Sequence, residues 1–142
     1  MKTAAQLLHE FPPLVRNPKE AAALFAEDGV FELPYLADLG MRWQYKWRTE
    51  IASRYALPLQ VVPGGSFETS WCSSTPRSTH LPNTRWRHSP SRRSGRSGSI
   101  FFGYFHVENG QIKLLREALN IVATARAFFP NGLADVPQPE AV

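Results

Sequence analysis

Apolar positions recur at helical spacing near the start of the chain, give way to short interrupted runs, and return as an alternating pattern in the last third. Leu7, Leu8, Phe11 and Val15 predict an amphipathic helix over about Thr3 to Val15, broken at Pro12-Pro13. Asn17-Pro18-Lys19-Glu20 has the order of an N-cap, a first-turn proline and a capping-box glutamate. It predicts a second helix through Ala21 to Phe25 that closes at Glu27-Asp28-Gly29, with the glycine as left-handed cap. Val30 to Leu33 then reads as a short strand stopped by Pro34. Tyr35 to Trp43 is a loop rich in apolar residues, the composition of a cover or lid. A short strand over Gln44 to Arg48 and a helix over Glu50 to Tyr55 follow, with Thr49 as cap and Ile51 and Tyr55 on one side, and Ser66 to Cys72 (SFETSWC) alternates as a further strand.

From Ile100 the chain reads IFFGYFHVENGQIKLLREALNIV. Asn109-Gly110 suits a two-residue type I′ turn, which needs positive φ at both central positions. Counting back from that turn pairs His106 with Lys113, Tyr104 with Leu115, Phe102 with Glu117 and Ile100 with Leu119. Side chains alternate, so these pairs share one face, and Phe101, Phe105, Val107, Ile112, Leu114, Arg116, Ala118 and Asn120 take the other. Two largely apolar faces fit a sheet covered on both sides. The second strand is expected to run to about Val122 or Ala125. Phe128 to Gly132 reads as a turn, and the tail from Asp135 as extended or disordered.

Glu117 is the anomaly of this pattern, a carboxylate set among Phe102, Tyr104, Leu115 and Leu119. It is either a structural glutamate held by a backbone N–H or an arginine, or an acid lining a pocket. In a pocket, burial would raise its pKa towards the range useful for proton transfer at neutral pH.

With 142 residues the chain has the length of one domain. A single cysteine, Cys72, excludes an intramolecular disulfide. The N-terminus acquires His9 and Glu10 too early for a signal peptide, and no apolar run reaches membrane-spanning length, so the expected setting is cytoplasmic, away from membranes. The formal charge of +4 is unevenly placed. Ser73 to Ser99 holds six arginines and no acid, and the rest of the chain carries ten basic and twelve acidic residues. That segment, rich in Ser, Arg, Pro and Thr, offers almost no apolar periodicity and is expected to be a loop or disordered. Its Ser89 to Ser99 part resembles arginine/serine tracts that bind RNA, but without interleaved aromatics nucleic acid is not the expected partner. His9, His80, His88 and His106 show no metal-ligand spacing, so no metal is expected.

Three stretches together resemble a known family: LFAEDGVFELPY (Leu24 to Tyr35), YKWRTEI (Tyr45 to Ile51) and FFGYFHVENGQIKLLREALN (Phe101 to Asn120). Their order is similar to the SnoaL-like branch of the nuclear-transport-factor-2-like superfamily, and most of all to phenazine-biosynthesis proteins of the A/B type. The resemblance implies an α+β cone, with N-terminal helices on a strongly bent antiparallel sheet that encloses a pocket, and a homodimer through the sheet's outer surface. It implies one domain over 1–134 with a short tail over 135–142. It also implies that Glu117 points into the cavity as general acid or base, with no cofactor. Phe102, Tyr104, Leu115, Leu119, Trp43 and Tyr35 would line the pocket, and the ligand would be a small hydrophobic, ring-containing metabolite undergoing isomerisation, cyclisation or dehydration. A non-catalytic binding or dimerisation module of the same fold is the alternative, and an RNA-associated protein the second.

Three departures stand out. Leu33 occupies the position before Pro34 where ketosteroid isomerases place their aspartate base, while Glu32 points to the other side of the strand. Trp47 stands where a glycine is usual. The middle, about 56–99, does not spell the two long strands that the family has there; its composition resembles a coding sequence read in the wrong frame, and the pocket residues of those strands, including the histidine of phenazine-type sites, cannot be assigned.

Overall fold

The computed structural model describes residues 1–61, 66–69, 73–74, 78–87 and 98–137, with side chains described for 1–56 and 103–137. Cys72, His88, most of the arginine/serine tract and the tail beyond Pro137 lie outside the described residues.

The chain begins with helix α1 (Ala4–Leu14). Thr3 caps it through a reciprocal pair with Gln6, in which the Thr3 hydroxyl accepts from the Gln6 N–H and the Gln6 side chain accepts from the Thr3 N–H at 2.8 Å. The helix runs through Pro12 and Pro13 where a break was expected. Each proline gives up its own N–H bond, but both sit in the last turn, so no further helix is disrupted, and Phe11 and Val15 are held in the core. Helix α2 (Pro18–Ala23) starts with proline at its first turn, but Asn17 makes no side-chain cap. It stops short of the expected end, because Phe25 already opens strand β1 (Phe25–Glu32).

Gly29 is therefore no helix cap. It lies in an irregular stretch of β1, between the points where Phe25 pairs with Ile112 and Val30 pairs with Leu114. A Cβ there would stand 2.9 Å from the carbonyl oxygens of Ala26 and Ile112, so only glycine lets the two strands approach. Arg48 caps the same irregularity, donating from Nε to the Phe25 carbonyl at 2.8 Å.

After β1 a 3-10 helix (Pro34–Leu39) occupies the expected loop and turns Leu36 and Leu39 into the core. Strand β2 (Gln44–Lys46) returns antiparallel to β1. The chain then enters helix α3 (Trp47–Val61) through Trp47 at φ 67°, a left-handed conformation costly for any residue with a Cβ. Its indole stays largely exposed.

Ser66–Thr69 forms a strand within the stretch read as one, and further sheet stands where Ser73 to Ser99 was expected to be a loop. Strands β3 (Ser66–Thr69), β4 (Ser73–Ser74) and β5 (Ser78–Arg87) pair antiparallel, and β5 pairs along β6 (Gly98–Glu108). The backbone ladder offered by β6 orders a stretch whose own sequence carries no strand periodicity. Strand β7 (Gln111–Ala118) completes a mixed sheet in the order β2-β1-β7-β6-β5-β3, with β1 and β7 parallel.

Asn109 (φ 51°) and Gly110 (φ 75°) form the expected tight turn between β6 and β7. The register beyond it differs from a simple count. Val107 faces Ile112, but a bulge follows, and His106 then faces Leu114, Phe105 faces Leu115, Tyr104 faces Arg116 and Gly103 faces Glu117. The extra residue lets both Ile112 and Leu115, three positions apart, join Phe105 and Val107 in the core.

Strand β7 ends at Ala118, earlier than expected, since Asn120 caps a further helix, α4 (Ile121–Phe128), accepting from the Ala123 N–H at 3.0 Å. A final 3-10 turn (Gly132–Asp135) follows, Val136 packs on the core, and Pro137 lies against Gly40. Helices α1, α2 and α3 cover the inner face of the sheet, burying Leu7, Leu8, Phe25, Phe31, Ile51 and Phe105. The architecture is α+β with N-terminal helices on one sheet.

Candidate functional site

Two carboxylates arise at neighbouring positions of the sheet. Glu32 pairs across β1 and β7 with Arg116, and Glu117 is the next residue along β7, so alternation sends the two to opposite faces. Glu32 is buried but fully engaged: Gln44 Nε2 donates to Oε1 at 2.9 Å and Arg116 Nε to Oε2 at 2.6 Å. Its hydrogen bonds are those of a structural group that ties β2, β1 and β7 together.

Glu117 falls on the inner face, with Leu115 and Phe105. The residue keeps some accessible surface, although protein atoms surround its carboxyl closely, and that crowding governs its proton. Desolvation pushes its pKa up to about 7, and the positive charge of Arg54 only partly opposes the rise. Arg54 acts on it through charge at a distance and not through an ion pair.

Arg54 and Tyr55, consecutive on α3, are both buried. The Tyr55 ring is clamped, stacked on Phe31 with centroids 5.0 Å apart and met edge-on by Phe11 at 5.5 Å. Its hydroxyl is held in place yet finds no hydrogen-bond partner among the described residues. Burial raises the hydroxyl's pKa well above the ordinary tyrosine value; the charge of Glu117 raises it further and that of Arg54 lowers it. The hydroxyl is thus a proton-bearing donor at any physiological pH. The Arg54 guanidinium lies 5.8 Å from the centre of the Tyr45 ring, and no carboxylate among the described residues pairs with it within 4.0 Å. Chemically, the three groups can offer a neutral or ionised acid of pKa near neutrality, a fixed hydroxyl donor and a buried cation.

Of the other residues expected at a pocket, Leu115 is fully buried in the core and Leu119 is partly buried against it. Tyr104 is separated from Glu117 by the bulge: it faces Arg116 on the outer side, where its ring stacks on His106 at 6.2 Å and His106 Nε2 lies 3.1 Å from Glu108. Phe102 pairs with Ala118 instead of Glu117, and its side chain lies outside the described residues. Tyr35 and Trp43 are surface residues, 52% and 39% exposed, because the 3-10 helix turns Leu36 and Leu39 inward in their place. Leu33, at the position of the isomerase aspartate, is a core residue.

Arg54 and Tyr55 were not recognised from sequence as site residues. The signal was present: Arg54 and Tyr55 stand three and four positions after Ile51, the spacing of one buried helical face. Among the described residues no group of histidine, cysteine and acidic side chains could hold a metal, and no helix is long and apolar enough to cross a membrane.

No family model matches the chain, and no curated protein does. Solved structures do. An NTF2-like protein of unknown function from Burkholderia pseudomallei superposes with a TM-score of 0.73 at 12% identity, over 91% of this chain and 99% of that one. A protein with a ketosteroid isomerase-like fold from Catenulispora acidiphila, in complex with trimethylamine, gives 0.71 at 10% identity, over 86% and 91%. A phenazine biosynthesis-related protein from Pseudomonas aeruginosa gives 0.64 at 20% identity, over 98% and 94%. The fold is NTF2-like, the ketosteroid isomerase-like cone.

Proposed function

We propose that this chain binds a small, hydrophobic, ring-containing metabolite on the inner face of the sheet and that Glu117 serves as general acid or base in a cofactor-independent isomerisation, cyclisation or dehydration. One observation carries the reading. A carboxyl group poised near pH 7 by desolvation stands within electrostatic reach of a buried hydroxyl and a buried guanidinium. Such a group exchanges a proton readily in both directions at neutral pH, which is the property general acid–base catalysis requires. Structures of the same fold include the phenazine biosynthesis-related protein and the trimethylamine complex, and they lend support by analogy of architecture.

In this reading Glu117 takes a proton from a carbon of the ring or returns one to it. The surrounding apolar side chains, Phe105 and Leu115 among them, keep the carboxyl desolvated. The homodimer expected through the sheet's outer face, on the side of Tyr104 and His106, is part of the same proposal; a monomer by light scattering across micromolar concentrations would remove it.

The test is deuterium wash-in from D2O at the acidic C–H positions of a panel of cyclic enones, followed by NMR. Wild type should accelerate exchange, and Glu117→Gln should lose at least about a hundredfold of that rate. Equal exchange by the two proteins would leave Glu117 without a catalytic role and favour a purely ligand-binding module.

A further inference from the structure

Strand β2 stands first in the sheet order, so one of its two sides faces no other strand among the described residues. Along its other side it meets β1: Phe31 faces Tyr45, and the Leu33 N–H donates to the Trp43 carbonyl at 2.7 Å. Main-chain groups alternate in direction along a strand, so Trp43 and Tyr45 serve β1, while the Gln44 carbonyl and the Lys46 N–H point to the open side. Unpaired groups on such an edge are a ready template for a further strand.

Both groups are taken, by the two halves of one ion pair. Arg42 Nε donates to the Gln44 carbonyl at 2.9 Å, the Lys46 N–H donates to Glu50 Oε2 at 2.9 Å, and Arg42 Nη2 closes the loop on that same Glu50 oxygen. Arg42 is set in place by Tyr45: its guanidinium lies 4.9 Å from the centre of the ring, and its carbonyl accepts from the Tyr45 hydroxyl at 2.9 Å. The Lys46 N–H, with the Arg42 charge behind it, holds the Glu50 carboxyl below the usual carboxylate range, so it is ionised at neutral pH. With side chains 56% and 35% exposed, the pair adds little to stability. What it does is cover the two main-chain groups that an incoming strand would need.

We propose that the Arg42–Glu50 pair is a guard on the free edge of β2, and that the strand it excludes is β2 of a second copy of this chain. The guarded groups complement each other. In an antiparallel pair of copies centred on Tyr45, the Lys46 N–H of each donates to the Gln44 carbonyl of the other, two bonds related by a two-fold axis. Lys46 then faces Gln44, so no like charges meet. The same register brings Trp43 of one copy opposite Trp47 of the other, and both are exposed in the single chain. This edge contact is separate from the dimer proposed through the sheet's outer face, and it does not depend on what the inner face binds.

The test is analytical sedimentation of the full chain across micromolar concentrations, with thermal melting to establish that each variant is folded. Arg42→Ala/Glu50→Ala frees both main-chain groups and should add a species of twice the largest wild-type mass, a tightening of self-association by at least about tenfold. Adding Lys46→Pro removes the donor from the open side without touching the ladder to β1, and should return the mass to that of wild type. Glu50 also steadies the start of α3, so Arg42→Ala/Glu50→Asp serves if the double alanine does not fold: aspartate favours a first helical turn, but it is one methylene shorter on the way to Lys46. In wild type the Lys46 amide should exchange slowly with D2O, and exchange at the rate of an open strand edge would overturn the guard without any variant. No added species from either folded variant, or an association that survives Lys46→Pro, would overturn the inference as well. So would wild-type self-association that Lys46→Pro abolishes, since the edge would then stand open with the pair in place.

Discussion

Glu32 and Glu117 stand one register step apart on opposite faces of the same sheet, and they have opposite surroundings. Glu32 receives hydrogen bonds from Gln44 and Arg116, whereas Glu117 has a cation in range but none in contact. The difference teaches that burial alone does not define a functional carboxylate. Partner supply does: a satisfied acid fastens strands together, and an unsatisfied one keeps its proton negotiable.

The largest expected effect concerns pH. With a folded pKa of about 7 against 4.5 when unfolded, protonated Glu117 favours the native state, and that contribution is full below about pH 4.5 and lost as pH rises through 7. At roughly 1.4 kcal/mol per pH unit the loss is at most about 3.5 kcal/mol. Urea unfolding of wild type should therefore weaken between pH 5 and 8, and Glu117→Gln should flatten that slope and be the more stable protein at pH 8. A wild-type stability rising over that interval would break the contrast with Glu32.

Glu32→Ala comes next, expected to cost about 2 kcal/mol in the same assay, because it strands Gln44 and leaves Arg116 to turn to water. A cost below about 0.5 kcal/mol would mean that the fastening role is misassigned. Tyr55→Phe should gain about 1 kcal/mol by removing a buried hydroxyl without an acceptor; a loss of stability would reveal a partner for that hydroxyl.

The smallest effect tests the joint between the two regions. Trp47 links β2, which carries Gln44, to α3, which carries Arg54 and Tyr55, and it does so at a φ that suits glycine. Trp47→Gly should raise stability by about 0.5 kcal/mol, the relief of left-handed strain less the entropy glycine adds to the unfolded chain, read as a small upward shift in Tm.

Sequence pattern made the three N-terminal helices, the Asn109-Gly110 turn and the prominence of Glu117 legible, because each depends on local chemistry. The bulge past that turn was not legible. Nothing in HVENGQIKLL marks which strand carries an extra residue until the core chooses Ile112 and Leu115 together, and the choice moves Tyr104 to the outer face. Helix α4 was hidden by reading Asn120 as a strand residue when its side chain caps a helix. The strands within Ser73 to Arg87 were hidden because main-chain pairing places them without help from apolar alternation, the ladder slipping at Pro82-Asn83 where a proline interrupts it. Tyr35 and Trp43 misled for a related reason: aromatic residues in a loop suggested a cover, yet the 3-10 turn spent its two buried positions on leucines.

The bulge between the hairpin turn and Glu117 also sets a parity rule for length variation. Between Leu114 and Glu117, losing or gaining one residue rotates the acid to the solvent side of the sheet, whereas a change of two restores its direction. A deletion scan through that tetrapeptide should therefore alternate between dead and living proteins, a signature that ordinary substitution cannot produce.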